Sequence, residues 1–328
     1  MVNNVFHNLS IGTLKLKNNI VQAPLASYSD RAYRHLASLY GSSVAISEMV
    51  SAEGLLREGE KTLALIKRAD TEKQGESLSI PFVIQLFGSN ENAFKKATEV
   101  LLKHIQVPLI DINSACPVKK VMKTGSGASL MKEPKLLGRI VKTIKEVTDF
   151  KINVSVKLRI GINNNSLNYL KCAEEVFKNG GDAVSLHTRT AEQLYSGRAN
   201  HEHVRILKKE FKDKTILASG DIFNRDIAKD VLTLTNADGV LAARGAIGNP
   251  FIFTPDIVPT NKDYIDAFKK HVELHEYYND SPLRELRKFT PYYLKHITVP
   301  TKQARMFICT QATTKDDFFN ALSSIGYD

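Results

Sequence analysis

Short runs of consecutive apolar residues alternate along most of this chain with longer stretches whose apolar positions recur every three or four residues. The runs fall at 20–23, 44–47, 82–86, 109–112, 154–158, 183–186, 216–218 and 239–242. Most are β-branched, and they are apolar on consecutive rather than alternate positions. That is the pattern of strands covered on both faces, as in a parallel sheet. The stretches between them, among them 93–104, 134–147 and 167–179, have helical spacing, and Asn179-Gly180-Gly181 is a helix stop. Eight strand–helix units in about 250 residues predict an α/β fold of the (β/α)8 TIM-barrel type. A doubly wound open sheet is the competing arrangement of the same units.

The pattern changes after residue 253. The segment TPDIVPTNKD (254–263) carries two prolines and no period, so it reads as a linker. Only helical stretches follow, at 264–278, 282–296, 301–309 and 316–324. The expected organisation is a barrel over residues 1–254 and a small C-terminal helical domain over 262–328.

Composition narrows the class. The 328 residues are 43% hydrophobic and 24% charged, ordinary for a globular protein and unlike a disordered chain, a collagen-like fibre or a disulfide scaffold. Lys and Arg number 45 against 35 Asp and Glu, a net +10 that favours a polyanionic partner without naming it. The surplus is uneven. Residues 115–160 hold eleven Lys/Arg and three Asp/Glu, whereas 255–328 hold ten of each. Lys135, Arg139, Lys142 and Lys145 recur at helical spacing and are also explained by a solvated helix face, but Lys119, Lys120 and Lys123 lie in a loop. The three cysteines have no CxxC spacing, which argues against structural zinc and for a reduced compartment. The first residues, MVNNVFHNLSIG, lack the pattern of a signal peptide, and no run approaches the ~18 apolar residues of a membrane span. The expectation is a cytoplasmic monomer with no membrane and no metal.

Active sites of (β/α)8 barrels lie at the C-terminal ends of the strands. That rule selects Pro24, Leu25 and Ala26 after the first predicted strand and Gln85 in the third. It selects Asp111, Asn113 and Cys116 at the fourth, Lys157 and Arg159 at the fifth, and His187 at the sixth. Ser219-Gly220-Asp221 follow the seventh strand and Arg244-Gly245 the eighth. The last two loops are the usual phosphate site of this fold, and Gly245 and Gly248 would let a backbone approach an anion. The loop from 114 to 133 shows no regular element beyond a short turn and contains Gly125-Ser126-Gly127; a loop of that length in a barrel is usually functional. Cys116 at its start is a buried packing residue or a catalytic one. Cys172 and Cys309 sit in helix patterns and read as packing. Lys157 needs an anion, a carbonyl, or an ion pair with Asp111 or Glu48.

Several segments, in this order, resemble the tRNA-dihydrouridine synthase family, its bacterial B-type branch most closely. They are APLASYSDRAYR (23–34), SEMVSAEGL (47–55), IQLFG (84–88), DINSACPVKKVMKTGSGASLMKEP (111–134), VSVKLRIG (154–161), SLHTRTAEQLYSGRAN (185–200), SGDI (219–222), ARGAIGNPFIF (243–253) and RELRKFTPYYLK (284–295). The resemblance implies an FMN enzyme in which hydride goes to C6 of a uracil ring in tRNA, the motif cysteine protonates C5, and NADPH reduces the flavin again. Carried over, Cys116 is the proton donor. Pro24, Leu25, Ala26, Gln85, Lys157, His187, Ser219, Gly220, Asp221, Ala243 and Arg244 match cofactor positions. Asn113, Arg159 and His187 match residues that hold the uracil and its phosphate. The sequence has Ala115, Thr188, Ser219 and Ala243 where the family more often has Gly, Gly, Asn and Gly.

The residues fit that chemistry. Saturating a C5–C6 bond needs a hydride, which no side chain supplies, and an acid, which a thiol with pKa near ~8.5 provides at neutral pH. Lysines beside the sulfur would favour thiolate, so Lys119, Lys120 and Lys123 are expected to face RNA phosphates instead. Arg284, Arg287 and Lys288, on one predicted helix, are expected to help hold the RNA. Two other readings stay open: a flavin-dependent reductase of a free small molecule, and a catalytically quiet RNA-binding protein.

Overall fold

The computed structural model describes residues 5–57, 66 and 80–325. Eight parallel strands form the barrel: β3 (Ile20–Gln22), β4 (Ala45–Ser51), β5 (Phe82–Phe87), β6 (Leu109–Ser114), β7 (Asn153–Arg159), β8 (Ala183–His187), β9 (Thr215–Ser219) and β10 (Gly239–Ala242). Their order is β3-β10-β9-β8-β7-β6-β5-β4, as a TIM barrel requires. The seam between β3 and β4 is bridged by a side chain, because the Gln22 amide oxygen accepts from the Ile46 N–H (3.0 Å). All eight predicted strands are present.

The strands are covered outside by α1 (Arg31–Leu39), α2 (Ala52–Leu56), α3 (Glu91–His104), α5 (Pro134–Val147), α6 (Tyr169–Lys178), α7 (Glu202–Glu210) and α8 (Arg225–Thr235), with a short α4 (Lys119–Met122) after β6. Helix α5 shows why. Pro134 opens it, and Leu137, Ile140, Val141 and Ile144 make a buried stripe at helical spacing. Its basic face is divided. Arg139 and Lys142 pair with Glu91 and Glu146 on the outer wall. Lys145 is buried and holds Asp182 (2.8 Å), whose carboxylate also accepts from the Val154 N–H at the start of β7. Of the basic residues in 115–160, Lys119, Lys120, Lys123 and Lys132 sit exposed on the loop that leaves the barrel mouth.

The base of the barrel is plugged. A hairpin that the periodicity does not announce, β1 (Leu9–Ile11) and β2 (Leu14–Leu16), packs Leu9, Ile11 and Leu16 against Val21, Ile46, Val83, Leu109, Leu217 and Leu241. Its turn docks on Asn153, whose side chain accepts from the Thr13 N–H (3.0 Å).

The C-terminal helices are α9 (Asn261–Tyr278), α10 (Thr290–Leu294), α11 (Lys302–Thr310) and α12 (Lys315–Ser323). They share one apolar core with Ala32, Tyr33 and Leu36 of α1 and with Ile247 and Phe251 after β10. Three expectations need correction. Helix α9 begins inside the expected linker, because Thr260 and Asp263 form a capping box and its first turn is polar. The expected helix over 282–296 is a 3-10 turn, Leu283–Phe289, followed by α10; Pro291 has no N–H to continue an α-helix across the junction. The loop from 114 to 133 holds two short helical pieces, α4 and the 3-10 turn Gly127–Lys132. Among the described residues no helix is long and apolar enough to cross a membrane.

Candidate active site

Inward positions change character along each strand. Val83, Leu109 and Leu217 belong to the apolar base, and two residues further on the same strands carry Gln85, Asp111 and Ser219. The upper interior is polar, with Ser155, Lys157 and Arg159 from β7 and Ser185 and His187 from β8.

The deepest of these groups form a directional chain. Ser155 Oγ and Gln85 Nε2 donate to the two carboxylate oxygens of Asp111 (2.5 and 2.6 Å). Gln85 Oε1 accepts from Asn113 Nδ2 (2.8 Å). Asn113 Oδ1 in turn accepts from the N–H groups of Ala115 (3.1 Å) and Cys116 (2.9 Å). A carboxylate only accepts and a peptide N–H only donates, so the two ends fix which way both amides point. Burial pushes the Asp111 carboxyl up to about 6, against the hydrogen bonds from Ser155 and Gln85 and the charge of Lys157. Asn113 and Gln85 thus spend their polar atoms on presenting Cys116.

Cys116 is half-buried at the mouth. Burial raises its thiol pKa, opposed by the Val118 N–H and by Arg159 and Lys157, so the sulfur is protonated at neutral pH. Lys119, Lys120 and Lys123 are exposed and are not among the charges acting on it. Gly127, with φ +60°, fixes the turn from the other side. A Cβ there would lie 2.6 Å from the Cys116 carbonyl oxygen and 3.1 Å from its Cβ. Sequence reasoning noted the glycines of this loop but not that one of them seats the cysteine. Cys172 is fully buried, donates to the Met131 carbonyl (3.6 Å) and has its thiol pushed up to about 12.

Four cations surround the mouth. The Lys157 ammonium makes no hydrogen bond or ion pair among the described residues. Asp111 is satisfied from Ser155 and Gln85, and the Glu48 carboxylate accepts from the Ser27 N–H, so neither of the acids weighed as its partner takes that place. Burial, helped by Arg159, lowers Lys157 to about 8. Arg159 is 2% exposed and braces two loops, donating to the carbonyls of Ala115 (2.9 Å), Thr190 (2.7 Å) and Leu194 (3.0 Å). Arg189, which sequence reasoning passed over, forms a two-pronged pair with Asp221 (3.0 and 2.7 Å). Asp221 also holds Arg244 (3.1 Å) and accepts from the Ala199 N–H (2.9 Å); burial opposes its ionisation, but Arg189, Ala199 and Arg244 together keep it below the usual carboxylate range. His187 lies among these charges. Burial first, then Lys157, Arg159, Arg189 and Arg244, hold it far below its ordinary pKa and therefore neutral.

The remaining candidates are placed around this group. Pro24, Leu25 and Ala26 form the turn after β3, and Leu25 packs against the helical core. Ser219 ends β9 and Ala243 follows β10 beside the mouth. Gly220 (φ +113°) makes room for His187, whose ring a Cβ would approach to 2.9 Å. At Gly245 and Gly248 a Cβ would meet the Ile222 carbonyl at 2.0 Å and the Tyr292 backbone at 2.3 Å, so these glycines let the protein approach itself. The N–H groups of Asp221, Arg244 and Gly245, at the ends of β9 and β10, donate to no described residue. In the helical region Arg284 is exposed, Arg287 donates to the Ala312 carbonyl (2.8 Å), and Lys288 lies over the Tyr28 ring (5.6 Å).

Fold and mouth together define an α/β-barrel protein whose strand ends gather four cations around a protonated thiol. Residues 21–323 match the family described as Dihydrouridine synthase (Dus). The chain is 37% identical over 255 residues to "Probable tRNA-dihydrouridine synthase" of Treponema pallidum (strain Nichols), covering 76% of this chain and 73% of that one. It is 32% identical over 312 residues to "tRNA-dihydrouridine synthase B" of Vibrio parahaemolyticus serotype O3:K6, covering 91% and 93%. The chain belongs to the dihydrouridine synthase family. Among solved structures it is similar to histamine dehydrogenase from Rhizobium sp. 4-9, with TM-score 0.59 and 15% identity over 83% of this chain and 51% of that one; this likeness shows the fold alone.

Proposed function

We propose that this protein is a tRNA-dihydrouridine synthase that reduces the C5–C6 bond of a uridine in tRNA, with FMN as cofactor and NADPH as reductant. Family membership supports the reaction class, and the curated relatives' names support tRNA as substrate. The observation that carries the reading is the Cys116 thiol, held protonated by burial and seated by Asn113 at the mouth where the Lys157 ammonium stands free.

The residues fit a flavin nucleotide. The N–H groups of Asp221, Arg244 and Gly245, with the Arg244 side chain, suit a phosphate. Lys157 suits an electron-rich ring edge, and the turn of Pro24, Leu25 and Ala26, with Gln85, Ser219, Gly220 and Ala243, supplies walls. Bound FMN, re-reduced by NADPH, supplies the hydride to C6 that no side chain can give. Cys116 gives its proton to C5, and the thiolate left behind regains one from solvent. Neutral His187 and the buried Arg159 offer hydrogen bonds to the uracil and its phosphate. Lys119, Lys120, Lys123, Arg284 and Lys288 meet the RNA backbone, while Arg287 is partly committed to Ala312. The target base leaves its stack to reach the mouth, at a cost of a few kcal/mol, least in a weakly stacked segment such as the D loop.

The test is twofold. Purified protein is expected to absorb as an oxidised flavoprotein and to bleach with NADPH in the absence of oxygen. Dihydrouridine mapped across total RNA is expected to disappear from defined tRNA positions when the gene is removed. An unchanged map would sink the proposal.

A further inference from the structure

Several large apolar side chains are exposed on the loops around the mouth, Tyr195 and Phe223 among them. Val118, in the loop after β6, is 53% exposed, and Leu194, in the loop after β8, is 51% exposed. Single exposed apolar residues are common and need no explanation. These two differ because one buried group fastens both loops. Arg159 donates from Nε to the Ala115 carbonyl and from Nη1 to the carbonyls of Thr190 and Leu194. The Val118 N–H also points at the Cys116 sulfur. Leu194 is held at φ +51°, a left-handed conformation that leucine rarely adopts and that the surrounding hydrogen bonds must impose. The neighbouring Tyr195 packs its ring 4.4 Å from the Arg244 guanidinium, so Leu194 is anchored on both flanks. Both loops are thus tied to one buried guanidinium, and Val118 lies beside the thiol.

Its surroundings say what covers it. Exposed Lys119 and Lys120 follow Val118 directly and Lys123 closes the same short helix. An apolar tip beside a row of cations matches bases beside a phosphate backbone. We propose that Val118 and Leu194 form an apolar lip that packs against the RNA bases flanking the extruded uridine, taking the place of the stacking those bases lose. This rests on the function proposed above and adds a reason for selecting structured RNA. Inserted apolar side chains hold neighbouring bases apart in other nucleic-acid complexes by the same physics.

The experiment compares Val118→Ser, Leu194→Asn and the double variant with the parent chain; asparagine accepts the left-handed backbone at 194. The substrates are a folded tRNA transcript and oligouridylate, which stacks weakly. For the double variant kcat/KM is expected to fall at least tenfold further on the transcript than on oligouridylate. A transcript with 2-aminopurine next to the target uridine is expected to brighten with the parent chain and to stay quenched with the double variant. Equal losses on both RNAs, or equal fluorescence with both proteins, would overturn the lip. The fluorescence needs no turnover. A parent chain that forms no dihydrouridine would therefore sink the proposed function while the fluorescence still decided the lip.

Discussion

The two halves of the barrel interior use the same strands and the same inward-facing period. Lower down, Val83, Leu109 and Leu217 close on the N-terminal hairpin in an apolar cluster. Two residues higher, Gln85 and Asp111 begin a run of directed hydrogen bonds that ends at the backbone of the half-buried Cys116, with the unpaired Lys157 ammonium nearby. The lower half is complete by itself. The upper half gathers Lys157, Arg159, Arg189 and Arg244 around His187, with the Asp111 and Asp221 carboxyls among them. Stability and chemistry are thereby stacked along one axis, and substitutions in one half should leave the other measurably alone.

The sharpest contrast is expected at Cys116. Cys116→Ala should lower the rate of dihydrouridine formation by about 10²–10⁴, the range for losing a positioned acid, while flavin content and thermal midpoint stay at the parent values. A midpoint that fell with the rate would show that the halves are not separable. The converse substitution, Leu217→Ala, should cost about 2–5 kcal/mol in urea unfolding through the cavity it leaves, with flavin affinity preserved at a permissive temperature. Loss of flavin from a folded Leu217→Ala protein would break the comparison from the other side.

A subtler effect tests the amide chain. Asp111→Leu should leave Gln85 Nε2 and the Ser155 hydroxyl without an acceptor, at about 1–3 kcal/mol each, and release both amides to rotate. Cys116 should then react faster with iodoacetamide and reduction should slow. Asp111→Asn should restore both, because its oxygen accepts from Gln85 and its NH₂ donates to Ser155. Failure of Asn to rescue would mean that the charge, not the polarity, matters.

The smallest effect is a pH dependence at Lys157, whose pKa lies at about 8. Below that pH the ammonium is already charged and an anion binds without proton uptake. Above it, binding must bring a proton, so FMN affinity should weaken by up to about tenfold per pH unit. Fluorescence titration of the flavin from pH 7 to 9 reads this slope, and a slope that persists in Lys157→Met would assign it elsewhere.

Several features were legible from neighbouring residues. Strands buried on both faces announce themselves as apolar runs, and strand ends mark the mouth, so Cys116, Lys157 and His187 were selected before any contact was known. The hairpin at the base was not, because three residues per strand carry too little alternation. The division of the expected 282–296 helix was missed although Pro291 is local, since the apolar spacing continues through it.

What the sequence by itself determined is the order and type of the main elements, the charge surplus and the residue types offered at the strand ends. These follow from spacing within a few residues, where backbone geometry alone relates side chains. The tertiary structure decided their tasks: that Asn113 caps the cysteine turn, that Arg159 ties two loops together, that Gly127 seats Cys116 and that Lys157 stays unpaired. The Arg159 bonds join groups 44, 31 and 35 residues apart at about 3 Å, and only packing sets that distance; the Asn113 cap spans three residues, but its amide is oriented by Gln85, 28 residues away.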